Sequence, residues 1–173
     1  MTVERSEAVT LKGNPLTLVG PELKVGDKAP EFTAIDLNLR PVSRADTDGK
    51  IRVFSVVPSL DTPVCDSQTR RFNKEAAALP GVNIYTISMD LPFAQSRWCT
   101  IADVNKLVML SDYQTGNFGE NYGTLIKELR LESRAIFVID AEGIVQYVEY
   151  VKEVGSHPDY EAALAAARRV AGL

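Results

Sequence analysis

Cys65 follows the run Pro58-Ser59-Leu60-Asp61-Thr62-Pro63-Val64, itself preceded by the apolar stretch Val53-Phe54-Ser55-Val56-Val57, so a thiol is delivered where a strand gives way to a helix. Thr62 is a good helix N-cap and Pro63 suits the first helical position, which puts Cys65 third in the helix. Backbone N–H groups in a first turn lack intrahelical partners and the macrodipole there is positive, so an ionised sulfur is favoured over a thiol. Arg70 and Arg71, one to two turns on, add positive charge. This pattern points to nucleophilic or redox chemistry at sulfur. Its bland alternative is a small, buried, apolar cysteine.

The elements around Cys65 must hold that junction. Phe32 to Ile35, Ile51 to Val57 and Val82 to Ser88 read as strands, with helical patterns after the second and third, which predicts a βαβ unit. Val9 to Lys12 and Leu16 to Val19 flank Gly13-Asn14-Pro15 and read as an opening hairpin. Ala135 to Ile139 and Ile144 to Tyr150, joined by Asp140-Ala141-Glu142-Gly143, read as a second antiparallel hairpin, and Pro158 to Ala171 as a closing amphipathic helix. The polar stretch Ala45 to Lys50 is short enough to be a surface turn between strands.

A chain of 173 residues, 45% hydrophobic and 24% charged, can bury one sizeable core, so a single domain spanning 1–173 is expected. A net charge of −4 gives no basic field, and no Lys/Arg cluster is interleaved with aromatics, so nucleic-acid binding is not expected. The N-terminal stretch Met1 to Glu7 lacks an apolar leader core, and no apolar run approaches the roughly 18 residues of a membrane helix, which predicts a soluble, cytoplasmic protein. Two cysteines and one histidine are too few for a secreted disulfide scaffold or a zinc site. Transient redox use of the pair fits better, with neither metal nor cofactor expected.

Asp90 as N-cap and Pro92 in the first turn place the second cysteine, Cys99, on a helix from Leu91 to about Ala102. On that helix Ala94, Trp98 and Ile101 form an apolar stripe, while Cys99 lies beside Gln95, Ser96 and Ala102 on a mixed face. By spacing alone Cys99 is equally an unreactive helix cysteine, and Arg134, just before the strand Ala135 to Ile139, reads as a solvated strand-end charge. Gly116 to Gly123 is glycine-rich but lacks the spacing of a dinucleotide loop, which leaves a turn or packing segment. His157 beside Pro158 reads as a surface histidine rather than the partner of a hydrolase dyad. The Cys-x-x-Cys spacing of a thiol–disulfide oxidoreductase is absent.

Pro58, Thr62 and Cys65 reproduce the Pro-x-x-x-Thr-x-x-Cys signature of peroxiredoxins, and Pro58 to Phe72 resembles the thiol peroxidase branch, the bacterial atypical two-cysteine peroxiredoxins. Asp90 to Gln95, followed by Arg97 and Cys99, is similar to the segment bearing that branch's resolving cysteine. Arg134 to Asp140 resembles its arginine-bearing strand, and the opening hairpin its N-terminus. The resemblance runs over nearly the whole chain and implies an α/β thioredoxin-like fold, a central mixed sheet flanked by helices, with an N-terminal β-hairpin. It implies that Cys65 attacks hydrogen peroxide or alkyl hydroperoxides and that Cys99 resolves the sulfenic acid as an intramolecular disulfide. Arg134 and Thr62 would then hold the peroxide oxygens while Pro58 shields the thiolate. Thioredoxin as reductant and a homodimer are further implications. Trp98 stands where a smaller aromatic is expected and reads as a packing residue. The rival reading is a peroxide-oxidised redox sensor or partner-binding module.

Overall fold

The computed structural model describes residues 2–173. It opens with an antiparallel hairpin, β1 (Glu4–Leu11) and β2 (Asn14–Val19). Two short strands, β3 (Thr33–Ile35) and β4 (Pro41–Ser43), precede the α/β core of β5 (Ile51–Val56), α1 (Pro63–Ala76), β6 (Val82–Ser88), α2 (Pro92–Ala102) and β7 (Val108–Ser111). A short α3 (Asn117–Tyr122) with β8 (Leu125–Ile126) and β9 (Leu131–Glu132) leads to the hairpin β10 (Ala135–Ile139) and β11 (Val145–Tyr150), and α4 (Tyr160–Ala171) closes the chain. A seven-stranded mixed sheet runs in the order β11-β10-β5-β6-β7-β3-β4, and a separate four-stranded sheet joins β1 and β2 to β8 and β9. β5, β6 and β7 pair in parallel, as the βαβ reading requires, and β10 runs antiparallel to β5.

The period-two alternation of β10 decides the layers. Ile136 and Val138 join Val53, Phe72, Ile84, Leu164 and Ala167 in a core between the sheet and helices α1 and α4. Ala135, Phe137 and Ile139 point the other way, into a core with Phe32, Phe54, Phe118 and Tyr122, the last two stacked at 4.2 Å. The glycine-rich segment is thus a packing element: α3 buries both rings, and Gly116 and Gly123 cap its ends at positive φ. The Ala45 to Lys50 stretch connects β4 to β5 through a 3-10 turn at Arg44–Thr47. Among the described residues no helix is long and apolar enough to cross a membrane.

The opening hairpin is tied to the segment after β11. The Thr10 N–H donates to the Lys152 carbonyl and the Val154 N–H to the Thr10 carbonyl, each at 2.8 Å. The Glu153 carboxylate accepts the Thr10 hydroxyl at 2.7 Å and the Lys12 N–H at 3.0 Å, and these donors, the Thr10 hydroxyl foremost, hold its pKa down at about 2.

Beneath α3 lies a buried pair of acids. Glu132 accepts the Thr124 hydroxyl at 2.5 Å on one oxygen, and its other oxygen has no partner. Neighbouring Asp112 accepts the Phe118 and Gly119 N–H groups at 3.0 and 2.9 Å. Burial first, then the neighbouring Asp112, push the Glu132 carboxyl well above the usual range, so that it holds its proton to higher pH than in the unfolded chain. The folded chain keeps this proton where the unfolded chain loses it. Stability therefore falls as pH rises past the unfolded value near 4.3, by up to about 1.4 kcal/mol per pH unit, until the raised folded value is reached. Glu132→Gln, which keeps an acceptor for the Thr124 hydroxyl without titrating, is expected to flatten that slope in urea midpoints measured from pH 5 upward; an unchanged slope would exclude Glu132 as its source.

Candidate active site

β5 ends at Val56, and the buried Val57 extends the ladder by donating to the Ile87 carbonyl at 3.0 Å. The loop that follows is anchored by Asp90. One carboxylate oxygen accepts the Ser59 hydroxyl at 2.7 Å, and the other accepts the Leu60 N–H and the Ser88 hydroxyl, both at 2.8 Å. Asp90 is therefore not the N-cap expected for the second helix. Three donors converge on it from β6 and the loop after β5, and the cap position falls to Leu91.

Thr62 occupies the N-cap position of α1 with extended backbone, Pro63 starts the helix and Cys65 is its third residue, as read from the sequence. The Thr62 hydroxyl does not cap the helix. It donates instead to the Ser59 carbonyl at 2.9 Å, closing the loop and leaving its oxygen lone pairs free to accept. Cys65 is wholly buried beside Val57, Leu60 and Met109, and Pro58 is buried as well.

Arg134 sits just before β10, only 2% exposed, and each of its three nitrogens has a task. Nη2 donates to the Cys65 sulfur at 3.3 Å, Nη1 to Gln68 Oε1 at 2.9 Å and Nε to the Val154 carbonyl at 3.0 Å. Gln68 in turn donates to Ser55 Oγ on β5 at 2.8 Å. Because Val154 is the residue bonded to Thr10, a continuous chain of contacts runs from the opening hairpin through Arg134 to the sulfur. A guanidinium clamped at two nitrogens presents its third with little freedom, the preorganisation that stabilises a sulfur anion and charge developing beside it.

The positive charge at Cys65 comes from Arg134, not from the two arginines on its own helix. Arg70 pairs with Asp66, and Arg71 with Glu75 and Glu161. Gln68, Ser55 and Val154 are supporting residues that the sequence reading did not single out, and Asp90 is one it expected only as a helix cap. Helical spacing from Cys65 through Gln68 to Phe72 carried a signal for the first of them.

Cys99 lies on α2, half-buried against the same apolar cluster as Cys65, and both cysteines are free thiols. Burial pushes the Cys99 thiol up. The Ala94, Trp98 and Ile101 stripe is not the buried face of α2: Ala94 and Ile101 are exposed, while Pro92 and Gln95 are buried. Gln95 is accommodated because its amide donates to Ser88 Oγ at 3.1 Å and to the Leu110 carbonyl at 2.9 Å. His157 stands on the surface with Nδ1 2.7 Å from the Tyr160 hydroxyl.

A buried cysteine in the first turn after a central strand, met by a clamped arginine on a mixed α/β sheet, defines a cysteine-dependent redox enzyme of the peroxiredoxin class. The redoxin family profile matches residues 24–164. The thiol peroxidase of Halalkalibacterium halodurans is 56% identical over 161 residues, covering 93% of this chain and 97% of that protein. That of Bacillus subtilis is 55% identical over 160 residues, covering 92% and 96%. Among solved structures, the peroxiredoxin-like protein from Aquifex aeolicus superposes with a TM-score of 0.88 at 40% identity over 98% of each chain. The thiol peroxidase from Chromobacterium violaceum, at 20% identity, shares the fold with a TM-score of 0.84 over 93% of this chain and 95% of that one. The chain belongs to the redoxin family and, within it, to the thiol peroxidases, which are peroxiredoxin enzymes. The thioredoxin-like fold with an N-terminal hairpin read from the sequence is the one observed.

Proposed function

We propose that Cys65 is the peroxidatic residue of a two-cysteine cycle. Its thiolate attacks one oxygen of a hydroperoxide, the S–O bond forms as the O–O bond breaks, and the departing oxygen takes a proton to leave as water or an alcohol. The observation that carries this reading is the 3.3 Å contact from the clamped Arg134 to the Cys65 sulfur. Arg134 stabilises the sulfur anion and the charge on the departing oxygen. The Thr62 hydroxyl, its hydrogen committed to Ser59, accepts from the peroxide O–H. Buried Pro58 walls the sulfur from water.

Cys99 then condenses with the sulfenic acid, releasing water and forming an intramolecular Cys65–Cys99 disulfide that a thioredoxin-type dithiol reduces. The burial that raises the Cys99 thiol supports a resolving rather than an attacking role. Because the cysteines sit on separate helices, closing the bond requires local unwinding. The chain acts as one domain, in the cytoplasm, as a homodimer, on hydrogen peroxide and alkyl hydroperoxides. Treating the reduced protein with one equivalent of peroxide and mapping its peptides by mass tests the cycle. A Cys65–Cys99 cross-link within one chain, reversible by thioredoxin, is expected. A stable Cys65 sulfenic acid with Cys99 still free would instead describe a sensor.

A further inference from the structure

A polar clasp joins α1 and α2. Asp66, the residue after Cys65, accepts the Trp98 indole N–H on Oδ1 and the Arg70 Nε–H on Oδ2, both at 2.9 Å. The Arg70 guanidinium lies over the Trp98 ring, 5.5 Å from its centroid, and its Nη1 donates to the Ala102 carbonyl at 3.3 Å. Residues on both sides of Cys99 are thus tied to the helix that bears Cys65. Apart from the clasp, α2 is anchored at its N-terminal half. Its buried residues, Pro92 and Gln95, lie in the N-terminal half, and Ile101 is 73% exposed. A cavity of about 490 Å³, lined by Leu60, Asp66, Ala94 and Ile101 among others, lies between the helices beside the clasp.

We propose that this clasp sets the rate at which Cys99 is released to Cys65. Asp66 and Arg70 are positioning residues that keep the C-terminal half of α2 folded in the reduced enzyme, and their bonds to Trp98 and Ala102 open before Cys99 reaches the sulfenic acid. The proposal rests on the reading of Cys99 as the resolving cysteine. While the clasp is closed, the Cys65 sulfenic acid has two fates. Condensation with the Cys99 thiol gives the disulfide and water; attack on a second hydroperoxide gives the sulfinic acid and an alcohol or water. A tighter clasp lengthens the life of the sulfenic acid and favours the second fate.

Single-turnover oxidation, quenched with acid and read by mass, separates the two products in the native enzyme and in Trp98→Phe, Asp66→Asn and Asp66→Ala. Trp98→Phe keeps a ring under Arg70 and removes only the N–H donor. Asp66→Asn keeps an acceptor for the indole, and Asp66→Ala removes both bonds. Disulfide formation is expected to quicken about tenfold in Asp66→Ala, severalfold in Trp98→Phe and least in Asp66→Asn, with proportionately less sulfinic acid at high peroxide. The first oxidation step in Trp98→Phe is expected to keep its native rate. Trp98 is the sole tryptophan, so native emission is expected to change with the disulfide step and not with sulfenic acid formation. Native disulfide rates and sulfinic acid yields in both Trp98→Phe and Asp66→Ala would overturn the clasp. Absence of any Cys65–Cys99 bond in the native enzyme would overturn the underlying reading instead.

Discussion

Cys65→Ser is expected to abolish peroxide turnover, whereas Cys99→Ser is expected to complete one oxidation per chain and stop. A serine hydroxyl in the same first turn meets the same Arg134 donor, but it does not ionise as a thiol does and is not the nucleophile that peroxide oxygen requires. The fall in turnover should reach at least about 10³-fold, the scale on which removing a nucleophile acts. Cys99 shares no hydrogen bond with the Arg134, Gln68 and Ser55 group, so its loss is expected to leave the first chemical step intact and to remove only the thiol proposed as resolver. Peroxide consumption coupled to a thioredoxin recycling system, with cumene hydroperoxide and hydrogen peroxide in parallel, reads both variants. Undiminished turnover in Cys65→Ser would move the nucleophile elsewhere, and undiminished turnover in Cys99→Ser would remove the need for an internal resolver.

The junction that places Cys65 was legible because its determinants are local. Thr62 and Pro63 fix a helix start, and the apolar run before them fixes a strand, whatever the rest of the chain does. The same holds for the β10 and β11 hairpin, whose strands are separated by a short turn. Strand β7 was missed because four residues are too few to show a period and owe their conformation to parallel pairing with β6. Strands β8 and β9, two residues each, exist only by pairing with the opening hairpin and with one another. Helix α3 runs against local preference, since two of the segment's glycines cap it and a third packs against Glu132; the burial of Phe118 and Tyr122 supplies what propensity does not.

The site divides in the same way. Spacing placed Cys65, and the resemblance placed Arg134, but neither could place the groups that hold Arg134. Gln68 reads as a polar residue on a charged helix and becomes a core residue only because Ser55 and Arg134 meet it there. On α2 the hydrophobic stripe misled because Gln95 finds its partners on Ser88 and Leu110, while Ile101 is left outside. Buried polar residues follow the positions of their partners, which hydropathy does not encode.

Arg134→Ala is expected to lower the rate of Cys65 oxidation by about 10² to 10³-fold, the effect of deleting one donor aimed at developing charge. It should also destabilise the fold, because Gln68 Oε1 and the Val154 carbonyl lose buried charged donors at about 1–3 kcal/mol each. Arg134→Lys keeps a positive charge but offers one ammonium for three acceptors spread around a planar fork, so it should recover only part of the rate. Gln68→Ala isolates orientation from charge. It leaves the guanidinium and its bond to Val154 in place and frees the Nη1 edge that Gln68 held, for an expected loss of about tenfold. If Gln68 acts through Arg134, the double variant Arg134→Ala, Gln68→Ala should oxidise no more slowly than Arg134→Ala alone. Stopped-flow oxidation of the four variants, with urea unfolding to separate stability from rate, completes the cycle. Additive losses would make Gln68 an independent contributor at the sulfur, and a native oxidation rate in Arg134→Ala would strip the 3.3 Å contact of any part in the chemistry.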